Sequence, residues 1–521
     1  MELDEILSIF DAKYQESVSF YKDYVTEDLV NEGKRLCVDV KGFPIEVKKE
    51  IAKWVYSKVD DSKPVMAMFL RSVALFIYQD PEYMEEAYDL LLNNTDYFTK
   101  NNLYFYDYQL FYNIFNYKEL DTPQIKIKQW KLFNEIVRMF KEDLTVDLSP
   151  IPYEKRNKNF VLVITEQMIA ITHGPTKTAL DRCKAIMTEQ KKDVLLISTN
   201  EVLTQTGKMP IVFSIPANSS DFTTEEAIPW KGVNVPFYNV EGEMPYTNTL
   251  DEILAFIRKL APSRIVGIGT AGILLNLANL IIPSVAIGLC PSDLGRTSVA
   301  YQTLGKKVED RELEVLSSVG FDRRHVIESV FTSSLREQEK HITREEVGIP
   351  EDAFVVTVIG GRLREEVTDE FLQMLEDVFK DDYYLLFLGV FDEVDARTEK
   401  FDRLSKAHKL MYVTDILATL EVCDLYVNPT RRGGGTSCVE AMFKGIPVVS
   451  TDFGDVSTNV GPEFLVKDYD EMKETIKRYH DDIEFYREKS GIAKRRAEVL
   501  LDTEKEFIRI LDEVDRREGI R

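Results

Sequence analysis

Short apolar runs alternate with helical segments twice along this chain of 521 residues. A continuous apolar run of this kind is typical of a strand that is buried on both faces of a parallel sheet. Two such series, joined near 320–345, predict an α/β fold with two doubly wound, Rossmann-like domains. We expect the ligand site in the cleft between them, because such sheets bind ligands beyond the carboxyl ends of their strands. The predicted strands are 160–164, 194–197, 265–268 and 285–287 in the first series, and 354–359, 384–388, 410–413, 425–427 and 447–450 in the second.

The first 155 residues have a helical period in place of a strand series. Thr122 and Pro123 form a good helix start, because threonine caps an N-terminus and proline fits the first helical turn. Apolar residues then recur at spacings of three and four, which predicts an amphipathic helix. The sequence thus predicts a helical domain (1–155), an N-terminal Rossmann-like domain (156–335) and a C-terminal Rossmann-like domain (336–521). The apolar positions of that helix are Trp130, Phe133, Val137 and Phe140.

Composition and charge narrow the class of protein. Hydrophobic residues make up 44% of the chain, which is enough to fill several cores of a large enzyme. Five cysteines without CxxC spacing disfavour a disulfide framework, and the acidic N-terminus does not resemble a signal peptide, so we expect a cytoplasmic location. The most apolar stretch, 271–289, contains polar residues and a proline, which argues against a transmembrane segment. The net charge of −24 repels nucleic acid.

A glycine-rich run, NPTRRGGGTSC, follows the predicted strand 425–427. Three consecutive glycines, Gly433, Gly434 and Gly435, allow the backbone to approach an anion closely, because they have no Cβ. A helix is expected to restart near Thr436, with Thr436 or Ser437 as its cap. The free N–H groups at such a helix start attract an anion.

Charged residues flank this run. Arg431 and Arg432 can neutralise a diphosphate through charge-assisted hydrogen bonds. Glu440 lies roughly one turn further along the helix, where its carboxylate can accept both hydroxyls of a ribose. The combination predicts a site for a nucleotide-diphosphate sugar.

The run resembles the donor-binding motif of GT-B glycosyltransferases, particularly the retaining, glycogen-synthase-like group and its bacterial relatives. The resemblance implies a nucleotide-diphosphate-sugar donor, with a UDP-sugar expected, and neither an obligatory metal nor a separate cofactor. It also implies that 336–521 binds the donor and 156–335 the acceptor. The motif usually has a second glutamate eight residues before the position of Glu440. Arg432 stands there in this chain, which leaves the stereochemistry of transfer open.

A second donor contact is implied where the predicted strand 354–359 ends in a glycine turn. In the resembled family this strand end faces the donor phosphates, which assigns Gly361 and Arg362 to the donor site. The family's lysine five positions later is replaced here by Val367. Arg364, Arg431 or Arg432 would have to substitute for it.

The segment AITHGPTKT at 170–178 resembles a turn of polypeptide and capsule glycosyltransferases that faces the donor sugar across the cleft. His173 is expected to hydrogen-bond the sugar or to act as a base toward an acceptor, because imidazole titrates near neutrality. Lys177 follows on the same helix start. The predicted catalytic residues are therefore His173, Arg362 and Glu440.

Three further features have two interpretations. The segment 267–272 matches GxGxxG, but the acid that a dinucleotide site needs is missing, so close helix packing is expected, with Thr270 available to a ligand. Asp293 and Arg296 follow the next predicted strand and could reach the cleft. The aromatic stretch 97–117 either fills the core between helices or forms a stacking platform for an acceptor.

The sequence as a whole predicts a bacterial, cytoplasmic, metal-independent glycosyltransferase that acts on a glycan or polypeptide. Two alternatives remain at this point. One is a sugar-nucleotide epimerase on the same fold, and the other is a catalytically silent partner of an active glycosyltransferase. Neither nucleic acid nor a transmembrane segment is expected, and a homo-oligomer is left open.

Overall fold

A computed structural model describes residues 3–20, 23–201, 221–242, 244–410 and 413–520. The part before residue 157 is helical, as its sequence period predicts. Its helix α7 begins where expected, since the Thr122 hydroxyl accepts a hydrogen bond from the Ile125 N–H at 3.2 Å. The helices are α1 (Leu3–Phe20), α2 (Glu27–Asp39), α3 (Ile45–Tyr56), α4 (Pro64–Ile77), α5 (Pro81–Asn93), α6 (Lys100–Asn116) and α7 (Pro123–Glu142).

The first α/β domain is built on a sheet with the order β3-β4-β2-β1-β5-β6-β7-β8 in the described residues. Its strands are parallel except for β3, which pairs antiparallel with β4. The strands are β1 (Asn157–Thr165), β2 (Asp193–Ser198), β3 (Ala227–Trp230), β4 (Val233–Asn239), β5 (Pro262–Ile268), β6 (Ser284–Ile287), β7 (Tyr301–Leu304) and β8 (Val326–Glu328). The helices are α8 (Gly174–Thr188), α9 (Thr247–Leu260), α10 (Ile273–Ile281) and α11 (Asp310–Ser318).

The second α/β domain has a parallel sheet with the order β11-β10-β9-β12-β13-β14 among the residues described. The predicted strand 410–413 is found as β11 (His408–Leu410), and residues 411 and 412 lie outside the described residues. The other strands are β9 (Phe354–Gly360), β10 (Tyr383–Gly389), β12 (Leu425–Val427), β13 (Val448–Thr451) and β14 (Leu465–Val466). The helices are α12 (Leu363–Glu366), α13 (Asp369–Val378), α14 (Val394–Thr398), α15 (Ile416–Thr419), α16 (Gly435–Phe443), α17 (Gly454–Val460), α18 (Tyr469–Asp481) and α19 (Ile483–Leu501).

The domains are joined by packing as well as by the chain. Helix α20 (Thr503–Arg517) packs against α8 and places Phe507 and Leu511 in the core of the first α/β domain. The helical domain shares a continuous apolar core with α9, α10, β1 and β5. Trp130 of α7 donates a hydrogen bond from its indole nitrogen to the Thr297 carbonyl at 2.7 Å. The boundaries near 155 and 335 stay predictions.

Among the helices of the described residues, none is both long enough and apolar enough to cross a membrane.

Candidate functional site

A cavity of about 430 Å³ lies between the two α/β domains, at the carboxyl ends of their strands. The second domain contributes Gly361 and Arg362 after β9, and the start of α16 after β12. The first domain contributes Leu289 after β6 and the start of α8. The structure therefore brings predicted residues of both domains to one cavity, in the cleft where the strand pattern predicts it. We call it the donor cavity.

The start of α16 forms one wall of the donor cavity. Gly434 is the residue before the first helical turn and has a φ of 98°, a conformation that favours glycine. The prediction that Thr436 or Ser437 caps this helix is wrong, because both residues already lie inside the first turn. Within the described residues no side chain caps α16, so its first N–H groups remain available to an anion in the cavity.

A second helix start faces the same cavity from the first domain. His173 precedes α8, and its side chain accepts no hydrogen bond from the first N–H groups of this helix. Gly174, Pro175 and Lys177 of its first turn also line the cavity. Because the N-terminal end of a helix carries partial positive charge, two such ends favour one anionic ligand between them.

Arg431 lines the donor cavity, but its guanidinium group is bound to the protein. It donates to Asn428 Oδ1 at 2.8 Å and to Tyr426 Oη at 2.8 Å. It also contacts the carbonyl of Ile359 and forms an ion pair with Glu366. The side chain therefore holds the ends of β9 and β12 together and has few hydrogen-bond donors left for a ligand.

Arg432 points away from the donor cavity and joins the three domains. It pairs with Asp121 of the helical domain at 2.6 Å and with Asp293 of the first α/β domain at 3.2 Å. Lys126 pairs with both aspartates, and Arg311 pairs with Asp121. Burial alone would raise the pKa of Asp121, but the surrounding cations bring it well below its usual range.

Two other cations face the donor cavity. Arg362 pairs with Glu366 at 2.9 Å, and its side chain keeps 37% of its surface exposed. Lys177 enters from the opposite domain, and among the described residues no carboxylate forms an ion pair with it. Burial lowers the pKa of Lys177, while Glu440 raises it. The cations available to a ligand thus come one from each α/β domain.

The structure separates the other two predicted catalytic residues. Glu440 does not line the donor cavity, but it faces Lys177, which does. Burial raises the pKa of the Glu440 carboxyl to about 7, although Lys177 and Arg336 lower it. His173 lines the cavity, and burial together with the Lys177 charge lowers its pKa. Its Nδ1 atom is buried and has no hydrogen-bond partner in the described part of the chain.

Asp455, at the start of α17, is a wall residue that the sequence analysis did not identify. Its carboxylate accepts a hydrogen bond from the Ser292 hydroxyl at 2.9 Å, across the two α/β domains. Burial raises the pKa of Asp455 to about 7, although Ser292 and Arg432 lower it. The sequence could have indicated this residue, because Asp455 follows β13 at the same sheet edge as the other strand ends.

The GxGxxG segment at 267–272 is occupied by the protein itself. Glu166 accepts hydrogen bonds from the N–H groups of Ala271 and Gly272 at 2.8 and 3.1 Å. Glu201 accepts from the N–H groups of Ile273 and Leu274. These carboxylates take the place that a dinucleotide phosphate would need at the start of α10.

Comparisons with known proteins agree with this architecture. Residues 354–482 match the family model described as glycosyl transferases group 1. A mutant O-GlcNAc transferase of Thermobaculum terrenum is 13% identical, with a TM-score of 0.55, 99% of this chain covered and 98% of that chain. A glycosyltransferase from Rickettsia africae is 10% identical, with a TM-score of 0.50, 69% of this chain covered and 98% of that chain. No curated protein matches the sequence.

The match at 354–482 identifies a glycosyltransferase domain that contains Gly361, Arg362 and the whole glycine-rich run. The two solved structures show the fold that surrounds it. The predicted recognition of a GT-B glycosyltransferase, the α/β GT-B fold with a helical N-terminal region and the enzyme class are therefore confirmed. The roles of the individual site residues stay predictions.

Proposed function

We propose that the protein transfers a sugar from a nucleotide-diphosphate sugar, with a UDP-sugar as the expected donor, to a glycan or polypeptide acceptor. The observation that carries this proposal is the donor cavity, where the uncapped starts of α16 and α8 face each other. A ligand with two negative charges and an attached sugar suits this cavity, because the N-terminal end of each of the two helices attracts an anion.

The departing diphosphate is the group that most needs stabilisation, since negative charge develops on it as its bond to the sugar breaks. The N–H groups of Thr436 and Ser437 and the cations of Arg362 and Lys177 are positioned on the cavity wall to supply it. Fixed donors of this kind can take the role of a metal ion, which supports transfer without one. Glu440 stays the proposed contact of the ribose: it does not line the donor cavity itself, but it faces Lys177, which does.

The transfer step needs a group that accepts the proton of the acceptor hydroxyl. Burial and the Lys177 charge lower the pKa of His173, which favours a neutral imidazole that can accept a proton. As the acceptor oxygen loses its proton and bonds to the anomeric carbon, the bond from that carbon to the diphosphate oxygen breaks. The diphosphate leaves with the electron pair of that bond.

We also propose a location in the cytoplasm of a bacterium. All five cysteines of the sequence are free in the structure, including the buried Cys183 and Cys438. Free thiols suit a reducing compartment.

The proposal is tested by incubating the full-length protein with a panel of nucleotide sugars and following nucleoside-diphosphate release. In parallel, calorimetry measures the affinity for UDP, GDP and ADP. We expect one nucleoside diphosphate to bind preferentially and its sugar derivative to be consumed. Arg362→Gln should weaken that binding about tenfold, the scale of one lost charge-assisted hydrogen bond.

Three results would overturn the proposal. Absence of binding by every nucleoside diphosphate and nucleotide sugar would leave a catalytically silent partner. Conversion of a nucleotide sugar into its epimer, without release of the diphosphate, would show an epimerase. Unchanged nucleotide affinity in Arg362→Gln, with Arg364→Gln as the exposed control outside the cavity, would place the nucleotide elsewhere.

A further inference from the structure

A second cavity, of about 510 Å³, adjoins the donor cavity. Its walls come from α6 of the helical domain and from loops that follow strands β1, β5 and β6 of the first α/β domain. Its volume is in the range of sites that bind small organic ligands. The two cavities share the wall residues His173, Pro175, Leu289, Arg362 and Asp455. A ligand in the second cavity would therefore lie next to the proposed position of the donor sugar.

An aromatic stripe on α6 forms one side of this cavity. Its residues lie at spacings of three, four and seven, which places them on one face of the helix. They are only half-buried and present ring surface to the cavity. Neighbouring rings are about 6 Å apart between centroids, close enough to form a continuous surface. The four residues are Tyr108, Phe111, Tyr112 and Phe115.

The aromatic residues one turn earlier on α6 show, by contrast, that this stripe is not simply core. Tyr104, Phe105 and Tyr106 point into the apolar core of the helical domain and are buried there. The two interpretations of the aromatic stretch 97–117 thus apply to different residues. The buried rings pack the helices, and the stripe forms a wall of the cavity.

Polar groups complete the wall. Arg296 pairs with buried Asp107 at 2.6 Å, and its guanidinium group lies 4.5 Å from the centre of the Phe111 ring. Its Nη2 atom, like Nε of Arg432, is buried without a hydrogen-bond partner in the residues described. Both arginines line the cavity, so a ligand that carries hydroxyl groups would meet their positive charge at its wall.

We propose that this cavity binds the acceptor, and that the acceptor residue bound there is a sugar ring of a glycan. A sugar ring has an apolar face of C–H groups, which suits the aromatic stripe, and hydroxyl groups around its edge, which suit Arg296 and Arg432. In the described residues, helices and loops wall the cavity, so no strand edge is offered to an extended peptide. The proposal rests on the proposed function, since His173 and Asp455 must receive the sugar hydroxyl at the boundary with the donor cavity.

The test uses the full-length protein and saturation-transfer NMR. The probes are the methyl glycosides of common hexoses and N-acetylhexosamines, each added with and without UDP, and a serine- and threonine-containing peptide mixture. We expect at least one glycoside to bind and its ring C–H protons to receive the strongest saturation. Substituting Tyr108→Leu together with Tyr112→Leu should weaken that binding at least tenfold and leave UDP affinity within twofold. Tyr246→Leu, at an exposed tyrosine that lines neither cavity, is the matched control.

The outcomes separate this proposal from the proposed function. A protein that binds UDP but none of the glycosides would overturn the sugar site, and loss of peptide binding in the double variant would replace it with a polypeptide site. Glycoside binding that survives the double variant would also overturn it. If glycosides bind as expected but no nucleotide does, the proposed function fails while the sugar site stands. Should the double variant not fold, Phe115→Leu removes one ring and leaves an apolar side chain for the same measurement.

Discussion

Two glycine-rich loops of this molecule connect a strand to a helix at corresponding places in the two α/β domains. The loop between β5 and α10 is closed, because Glu166 and Glu201 accept the hydrogen bonds of the helix start. The loop between β12 and α16 is open toward the donor cavity and has no such carboxylate among the described residues. A helix start attracts an anion in either case, and in the first loop the protein's own carboxyl groups already occupy that place.

The glycines of the two loops reflect this difference. A Cβ on Gly269 would lie 2.6 Å from the Glu166 carboxylate, so this glycine makes room for the protein's own charge. In the open loop, a Cβ on Gly434 would lie 2.7 Å from the Arg431 guanidinium and one on Gly433 would lie 3.0 Å from that of Arg362, so these glycines make room for cations. The comparison teaches that a glycine motif shows where the backbone can approach an anion, while the neighbouring charges decide whether a ligand can be that anion.

The largest effect, on the free energy of unfolding, is expected from replacing Arg432. This residue lies in the open loop but forms ion pairs with the other two domains. Arg432→Ala leaves Asp121 and Asp293 without this buried partner, and breaking such a pair typically costs about 3–5 kcal/mol. We expect a loss of that size in the free energy of unfolding, measured by urea denaturation. Arg364→Ala, which removes a surface ion pair with Glu393, is the control and should cost less than about 1 kcal/mol. A small loss in Arg432→Ala would show that the domains do not depend on this cluster.

The second-largest expected effect is on the pH dependence of the free energy of unfolding, to which Glu201 of the closed loop contributes. Burial and the nearby Glu166 raise the pKa of Glu201 from 4.5 to about 8, so the folded protein holds this proton more tightly than the unfolded chain. The free energy of unfolding should therefore fall as the pH rises from about 4.5 to about 8. Glu201→Gln should remove a part of that fall on the order of 2–4 kcal/mol.

Urea denaturation at a series of pH values measures this difference. Glu166, Glu440 and Asp455 also have raised pKa values, so only the difference between the wild-type and variant profiles reports Glu201 together with its interaction with Glu166. Glu225→Gln changes an exposed glutamate and serves as the control. Identical profiles for wild type and Glu201→Gln would mean that burial does not raise the pKa of Glu201 and that its carboxylate is charged near pH 7.

The open loop can be closed by substitution. Thr436→Asp places a carboxylate in the first turn of α16, where it would occupy the anion site as Glu166 and Glu201 do in the first loop. We expect nucleotide affinity to fall about 100-fold, or about 2.7 kcal/mol, as measured by calorimetry. The free energy of unfolding should stay the same or rise by about 0.5–1 kcal/mol, because an acid suits a helix start.

Thr436→Asn is the matched control, since it has the same shape without the charge. Affinity close to that of wild type in both variants would show that the start of α16 does not bind the nucleotide.

The smallest effect concerns Glu440. If its carboxylate accepts the ribose hydroxyls, the ligand prefers the ionised form, and affinity should rise as the pH passes through about 7. The rise in affinity between pH 6 and pH 8 should be about tenfold at most. Glu440→Gln should flatten it, as measured by calorimetric titrations at both pH values. Glu225→Gln again serves as the control. An equally steep rise in Glu440→Gln would assign the titration to another group, of which Asp455 is the first candidate.

The sequence predicted the fold in some detail, because local patterns carry that information. Continuous apolar runs identified β1, β2, β5 and β6 of the first sheet and β9, β10, β12 and β13 of the second, whereas β3, β4, β7, β8 and β14 were not predicted. The start of α7 at Thr122 and Pro123 was found where expected. The structure brings residues 434–437 of the glycine-rich run and Arg362 to one cavity, and their binding roles stay predictions. Asp455 was missed, although its position after β13 is of the kind that places residues at a ligand site.

The partners of charged side chains could not be predicted in the same way. Arg432 looked like a phosphate ligand beside three glycines, but its partners Asp121 and Asp293 lie 311 and 139 residues away in the chain. Arg431 is likewise occupied by Glu366, 65 residues away. The aromatic stretch looked uniform in sequence, and only the packing of α6 divided it between the core and a cavity wall.

The sequence by itself thus determined the two parallel sheets, the helical domain and the places where the backbone can accept an anion. These features depend on residue spacing and on glycine, which act within a few residues along the chain. The tertiary structure decided which helix starts are filled, which arginines remain available and which aromatic rings face a cavity. Those outcomes depend on charges and surfaces that meet only after the three domains have packed together. A pattern that extends over a few residues of the sequence does not predict them.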